Sequence, residues 1–240
     1  MKKIFFTLLT CSMVLCASAQ FSIQAGVNFA NISTSDNGTV DRARMLTSFH
    51  AGFIGDWGLS DIIDLQTGLF FTGKGAKQEI YFGPTEDDNY YKVRLNPYYL
   101  EVPVNLIFKI PLGESKLFFG AGPYVAMGVA GKAKIDRKVA GVVSSSERNI
   151  DFNNDDPTTG EQEDAGAGKL RRFDFGLNLT GGINIGGGLI VKANYGWGLT
   201  KVNSTGNSNA DDNNKHRVFS VALAIPLSGK KTSNPSPSTE

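Results

Sequence analysis

Tyr98-Tyr99-Leu100-Glu101-Val102-Pro103-Val104-Asn105-Leu106-Ile107-Phe108-Lys109 is the stretch whose reading decides the fold. In steps of two, Tyr98, Leu100, Val102, Val104, Leu106, Phe108 and Ile110 fall on one face. Tyr99, Glu101, Pro103, Asn105 and Lys109 fall on the other, with Ile107 the single apolar intruder. Successive Cβ atoms of a strand point to opposite sides, so alternation of this length predicts a strand. Globular strands usually run to about five or six residues, whereas a strand crossing an outer membrane needs about 9–11. This one is long enough to span. Its continuous apolar face suits lipid, and its other face carries a carboxylate and an amine suited to a polar interior.

Seven further stretches alternate in the same way. Phe21 to Phe29 makes the first predicted strand, Phe49 to Leu59 the second, and Ile63 to Phe71 the third, running on towards Phe82. The opening stretch is the fourth. Leu117 to Val129, Phe173 to Ile185, Leu189 to Leu199 and Phe219 to Leu227 supply the fifth to the eighth. Long polar connections near 33–46, 83–90, 135–169 and 203–215 follow the odd strands. Tight turns at Ser60-Asp61, Pro111-Leu112-Gly113-Glu114 and Gly186-Gly187-Gly188 follow the even ones. Short periplasmic turns on one side and long external loops on the other are the plan of bacterial outer-membrane barrels. A soluble lipocalin-type barrel has no reason to segregate its loops, and would place its apolar residues inside. The sequence therefore predicts an all-β fold, an eight-stranded antiparallel up-and-down transmembrane β-barrel.

The ends of the chain fit export. Lys2 and Lys3 precede the short apolar run Ile4 to Ala17, and Ala17-Ser18-Ala19 is a small-x-small cleavage site. Residues 1–19 are thus expected to be a signal peptide, residues 20–227 the barrel domain, and residues 228–240 a disordered tail. Cys11 and Cys16, the only cysteines, leave with the signal. A lipid anchor on Cys16 would need a small residue before it, and Leu15 stands there. Removing two lysines from 24 basic against 23 acidic residues leaves 22 against 23, a net charge of −1. That is no nucleic-acid footprint.

Within the predicted barrel, Trp57, Tyr195 and Trp197 are placed for the two interfacial aromatic girdles. Gly120, Gly122, Gly128, Gly176, Gly182, Gly196 and Gly198 fall on the inward face, where small residues leave room for larger ones across a narrow lumen. Pro103 and Pro123 lack the N–H a closed ladder needs, so each predicts a bulge or a local break.

Four segments carry a resemblance: Tyr99-Leu100-Glu101-Val102-Pro103, Phe119-Gly120-Ala121-Gly122-Pro123-Tyr124, Arg172-Phe173-Asp174-Phe175-Gly176 and Tyr195-Gly196-Trp197-Gly198-Leu199. With them the chain resembles the small outer-membrane β-barrel (porin family) proteins of Bacteroidetes, a group that includes the PorT-like secretion-accessory barrels. The resemblance implies an outer-membrane location. One departure is the C-terminus, where Ala224-Ile225-Pro226-Leu227 and a tail stand in place of the terminal aromatic residue common in such barrels.

No catalytic, cofactor or metal set emerges. His50 and His216 are the only histidines, and they read as a lumen residue and a loop-edge residue; a pairing with Ser48 or Ser220 is the less favoured reading. Gly166-Ala167-Gly168-Lys169-Leu170 lacks the first glycine of a phosphate loop and has Leu170 where a magnesium-holding hydroxyl belongs. The acidic stretch 151–164 has Asp156 at the sharp-turn glycine position of a calcium loop and Gln162 at its bidentate carboxylate position, so it reads as a solvated loop. The charges expected to matter are inside. A carboxylate in a confined interior needs a partner. Glu101 is expected to pair with Lys74, Arg172 or Lys192, and Asp174 with another of them, forming a cross-linked lumen.

Three function classes follow: a structural or interaction barrel with long external loops, including a secretion-accessory role; a narrow porin-like channel for small solutes; and a barrel enzyme. Side chains can fill an eight-stranded interior, which favours the first and a non-enzymatic protein. The expected partners are outer-membrane lipid and an envelope or secretion-machinery protein, with no nucleic acid, and the chain is expected to be a monomer.

Overall fold

Period-two alternation needs a solvent for each face, and the chain provides both by closing on itself. The computed structural model describes residues 19–33, 35–36, 39–40, 44–82, 89–152, 169–202 and 215–227. The predicted leader apart from Ala19, residues 153–168 and the C-terminal tail lie outside the described residues. The strands are β1 (Ala19–Ser33), β2 (Arg44–Gly58), β3 (Ile63–Gly73), β4 (Ala76–Phe82), β5 (Asn89–Leu112), β6 (Ser115–Val139), β7 (Val142–Asn149), β8 (Phe173–Ile185), β9 (Leu189–Lys201) and β10 (Lys215–Pro226). Each of β1, β2, β3, β5, β6, β8, β9 and β10 pairs antiparallel with the next, and β10 closes onto β1. The result is an eight-stranded up-and-down transmembrane β-barrel.

The burial is inverted relative to a water-soluble protein. Phe53 and Leu179, on the outer wall, are 57% and 63% exposed, while Asn28 and Ser22, inside, are 1% and 2% exposed. On β5, Tyr99, Pro103, Asn105 and Ile107 are buried and Val102, Val104, Leu106 and Phe108 face outward. The inward glycines act as sockets. A Cβ at Gly128 would overlap the Phe152 ring, one at Gly176 the Tyr124 ring, and one at Gly182 the Phe118 ring.

The prolines interrupt the ladder without changing its register. Pairing of β3 with β5 passes from Thr67–Val104 to Phe70–Glu101, skipping Pro103, whose carbonyl instead accepts the Thr67 hydroxyl at 2.7 Å. Pairing of β5 with β6 passes from Pro103–Tyr124 to Leu106–Ala121, skipping Pro123 on that side. The bulge lies elsewhere. Tyr98 stands opposite Ala130 and Tyr99 opposite Gly128, so Val129 is the extra residue. It shifts the inward set of β6 from Tyr124, Ala126 and Gly128 to Gly131 and Ala133.

The third long connection is not a plain loop from residue 135 onward. β5 and β6 run to 24 and 25 residues, far beyond the span of the membrane, and continue outward with β4 and β7 as a four-stranded sheet. The alternation Ala133, Ile135 against Lys132, Lys134, Asp136 carries β6 outward, and β7 folds back on it. The turn between them places Ala140 at φ 50° and Gly141 at φ 79°, both left-handed, as a two-residue hairpin of the type I′ kind requires. Asn89 Oδ1 anchors it by accepting the Ala140 N–H at 2.8 Å. A left-handed L-residue costs roughly 1–2 kcal/mol. Ala140→Gly is therefore expected to slow hydrogen exchange of the β7 amides several-fold; unchanged or faster exchange would show that the turn is not strained.

Candidate functional site in the barrel lumen

β3 ends at Gly73, and the chain leaves the ladder for Lys74 and Gly75 before β4 resumes. The Lys74 N–H donates instead to Pro97 O at 3.0 Å. This break turns the Lys74 side chain into the lumen. Its ammonium lies 2.7 Å from Glu101 Oε2 on β5 and 2.8 Å from Asp174 Oδ2 on β8. The Tyr124 hydroxyl of β6 donates to the same Asp174 oxygen at 3.0 Å, and the ammonium sits 4.0 Å from the Tyr124 ring centroid. The side chains of Lys74, Glu101 and Asp174 are 3%, 15% and 4% exposed. Taking such charges out of water costs several kcal/mol each, and only close, hydrogen-bonded pairing offsets it. One cation thus ties three sides of the barrel together.

Just below the bridge, towards the short turns, comes a net of imidazole, amide and hydroxyl groups. His50 lies between Asn28 Oδ1 at 2.6 Å and Gln24 Nε2 at 2.9 Å. Asn28 Nδ2 donates onward to Thr72 Oγ1 at 2.9 Å and Gly73 O at 3.0 Å. Lower still, Lys192 donates to Gln66 Oε1 at 2.7 Å, and Gln66 Nε2 donates to Asp56 Oδ1 at 2.6 Å. A cavity of about 230 Å³ lies at this level, lined among others by Asp64, Lys109, Lys116 and Asn184. Lys109 pairs with Asp64 at 2.6 Å.

Above Lys74 the lumen turns mostly apolar, with His216 a buried polar side chain among its residues. Ile150, Phe152, Leu170 and Val202 are buried against Ile32, Tyr99 and Tyr124. Asp151–Phe152 and Lys169–Leu170 form a short parallel pair, which brings both described ends of the third external connection into the mouth. Phe152 meets the Tyr99 ring edge-on at 5.6 Å, and Tyr99 OH lies 3.3 Å from His216 Nε2. The Arg171 N–H donates to Val202 O at 2.9 Å, pinning the fourth connection to the third. Sequence reasoning missed this cap. Its signal was the isolated apolar residues inside polar runs, as in Asn149-Ile150-Asp151-Phe152 and Lys169-Leu170-Arg171.

Of the predicted charge set, the structure brings Glu101, Asp174 and Lys74 together, and both acids share one cation. Arg172 is not among them: it sits above the network and donates to Phe152 O at 3.0 Å. Lys192 lies lower, with Gln66, because strand stagger sets depth and sequence order does not. Trp57 is half-buried at the short-turn end, edge-on to Phe21 at 6.4 Å. Tyr195 and Trp197 face outward on the wall at 41% and 52% exposure, and Arg217 lies 5.3 Å from the Trp197 ring. Ser48 Oγ donates to Gly73 O at 2.8 Å. Among the described residues no group of three or more His, Cys, Asp or Glu side chains is arranged to hold a metal ion.

A closed ring of eight strands, apolar outside and polar within, is the signature of a protein that crosses an outer membrane by strands. Among the described residues no helix is long and apolar enough to cross one. Residues 16–204 match the family described as Outer membrane protein beta-barrel domain. The chain belongs to that family. Membership implies an outer-membrane location. No curated protein sequence matches the chain. Among solved structures it is similar to Ail, the attachment invasion locus protein of Yersinia pestis, at 15% identity over 88% of this chain and 99% of that one, with a TM-score of 0.38. It is similar also to Neisserial surface protein A, at 16% identity over 86% of this chain and 97% of that one, with a TM-score of 0.38.

Proposed function

We propose that this outer-membrane protein is a closed structural or interaction barrel, exported by a cleaved leader and inserted as a monomer, that works through its outer sheet and external connections. The observation that carries this reading is the Lys74 bridge to Glu101 and Asp174 directly beneath the apolar cap. An ion-paired layer under a dry layer leaves solutes no continuous wet path. The ring nitrogens of His50 face amide groups and His216 Nε2 faces a tyrosine, which argues against a serine-activating role. The PorT-like resemblance adds a narrower reading, service to a secretion machine, for which the projecting sheet supplies a contact surface. A narrow channel is the competing reading, favoured by the cavity of about 230 Å³ at the short-turn end.

Planar-bilayer recording on the refolded chain separates them. Wild-type protein is expected to insert without conductance steps. Stable ohmic steps in every insertion would replace the closed-barrel reading with the channel.

A further inference from the structure

The outer wall changes chemistry abruptly at one level. On β5 the outward side chains from Ile110 up to Tyr98 are apolar or aromatic, and Tyr98 stacks on Phe71 at 5.1 Å, with Phe49 at 5.9 Å. Beyond Tyr98 the same face carries Asn96, Arg94 and Lys92. Arg94 stands opposite Lys77 of β4 on one side and opposite Lys134 of β6 on the other. Lys77, Arg94 and Lys134 therefore form one row of cations across adjacent strands. Same-face residues repeat about every 6.8 Å along a strand. With barrel tilt, this row stands roughly 10 Å above Tyr98, level with lipid headgroups.

Like charges directly opposite one another destabilise a ladder. The neighbouring acids relieve only its Lys134 end. Glu147, opposite Lys134, is held by Lys132 at 2.5 Å, a hydrogen bond that keeps its carboxyl below the ordinary range. Asp136 accepts from the Ser145 hydroxyl at 2.5 Å and forms an ion pair with Lys134 at 3.6 Å. Glu79 is met by the Tyr81 hydroxyl at 2.6 Å and stands opposite Lys92. Lys77 and Arg94 form no ion pair among the described residues. Lys77 and Arg94 thus have a place for an anion from outside the protein, with Lys134 at its edge.

We infer that Lys77 and Arg94, with Lys134 at the edge of the site, bind the phosphate groups of an outer-leaflet glycolipid, a lipid A-type headgroup whose acyl chains lie along Phe49, Phe71 and Tyr98. Continuity with the lipid-facing wall selects this occupant. A soluble polyanion would gain the charges but have no use for the apolar surface directly beneath them. The inference rests on the outer-membrane location and is independent of whether the lumen conducts.

The test is native mass spectrometry of the full chain refolded in uncharged detergent, with diphosphorylated lipid A as the probe. Wild type is expected to retain the lipid. The variant Lys77→Gln/Arg94→Gln should bind roughly 25-fold more weakly, at about five-fold per cation near an anionic surface. Dephosphorylated lipid A should bind wild type about as weakly as the variant binds the intact lipid. Folding of the variant is checked by heat-modifiable gel mobility. Should it misfold, raising salt on wild type from about 0.05 to 0.5 M must release the diphosphorylated lipid and spare the dephosphorylated one. Equal retention by both proteins, equal retention of both lipids, or full displacement by inorganic phosphate overturns the inference. Bilayer insertion, read separately by resistance to carbonate extraction, tells a failed site from a failed location.

Discussion

Replacing Lys74 by Met is expected to lower the stability of the refolded barrel by about 3–5 kcal/mol, the usual cost of stranding the partners of a buried ion pair. The cost is large because Glu101 and Asp174 both turn to this one ammonium from different strands. Their carboxylates would then face each other across a lumen that offers little water. Glu101→Gln should cost less. It leaves Lys74 its bond to Asp174 and keeps a polar oxygen at the vacated position. Glu147→Gln on the outer hairpin should change little, since its pair with Lys132 is solvent-exposed. Urea unfolding in detergent orders the three variants. A double-mutant cycle on Lys74 and Glu101 isolates their coupling. Equal, small effects at Lys74 and Glu147 would mean that the lumen is wet at this level and that water replaces the bridge.

The second large effect is expected at the cap. Phe152→Ala removes a buried ring that rests in the socket of Gly128 and against Tyr99. In a packed core that truncation costs about 3–5 kcal/mol. Here the loss should fall on local opening rather than global unfolding, because Phe152 belongs to a short pair at the mouth and not to the closed ring. Limited proteolysis within 153–168 should therefore accelerate by a factor of ten or more while the urea midpoint of the barrel moves little. Phe152→Ala alone should stay electrically silent, since the Lys74 bridge still closes the layer below. Combined with Lys74→Met it should produce conductance steps. Steps from Phe152→Ala alone would show that the cap is the whole seal; no acceleration of cleavage would show that the cap does not hold the connection down.

The barrel was legible in the chain because strand alternation and turn chemistry are local. Tyr98 to Lys109 states its own two faces, and the alternation of long and short connections states which end faces out. Gly186 and Gly187, at φ 56° and 71°, announce a turn from sequence alone. The projecting sheet was half legible: the alternation through Ile135 was there to read, but the polar residues around it resemble a loop until β5 and β7 are seen to satisfy its backbone. The bulge at Val129 left no such mark, since Val129 and Ala130 suit a regular strand equally well.

The lumen is where local reasoning stops. The sequence by itself determined that Glu101, Asp174 and Lys192 point inward, because period-two alternation decides the side of a strand. Only the tertiary structure decided which of them meet. Lys74 and Asp174 are 100 positions apart, and their contact depends on how far each strand is staggered against the next around a closed ring. The same stagger carries Lys192 down to Gln66 and leaves Arg172 above the network with Phe152. The cap needed closure as well, for Phe152 and Leu170 are ordinary loop residues until a mouth of the right width stands beneath them.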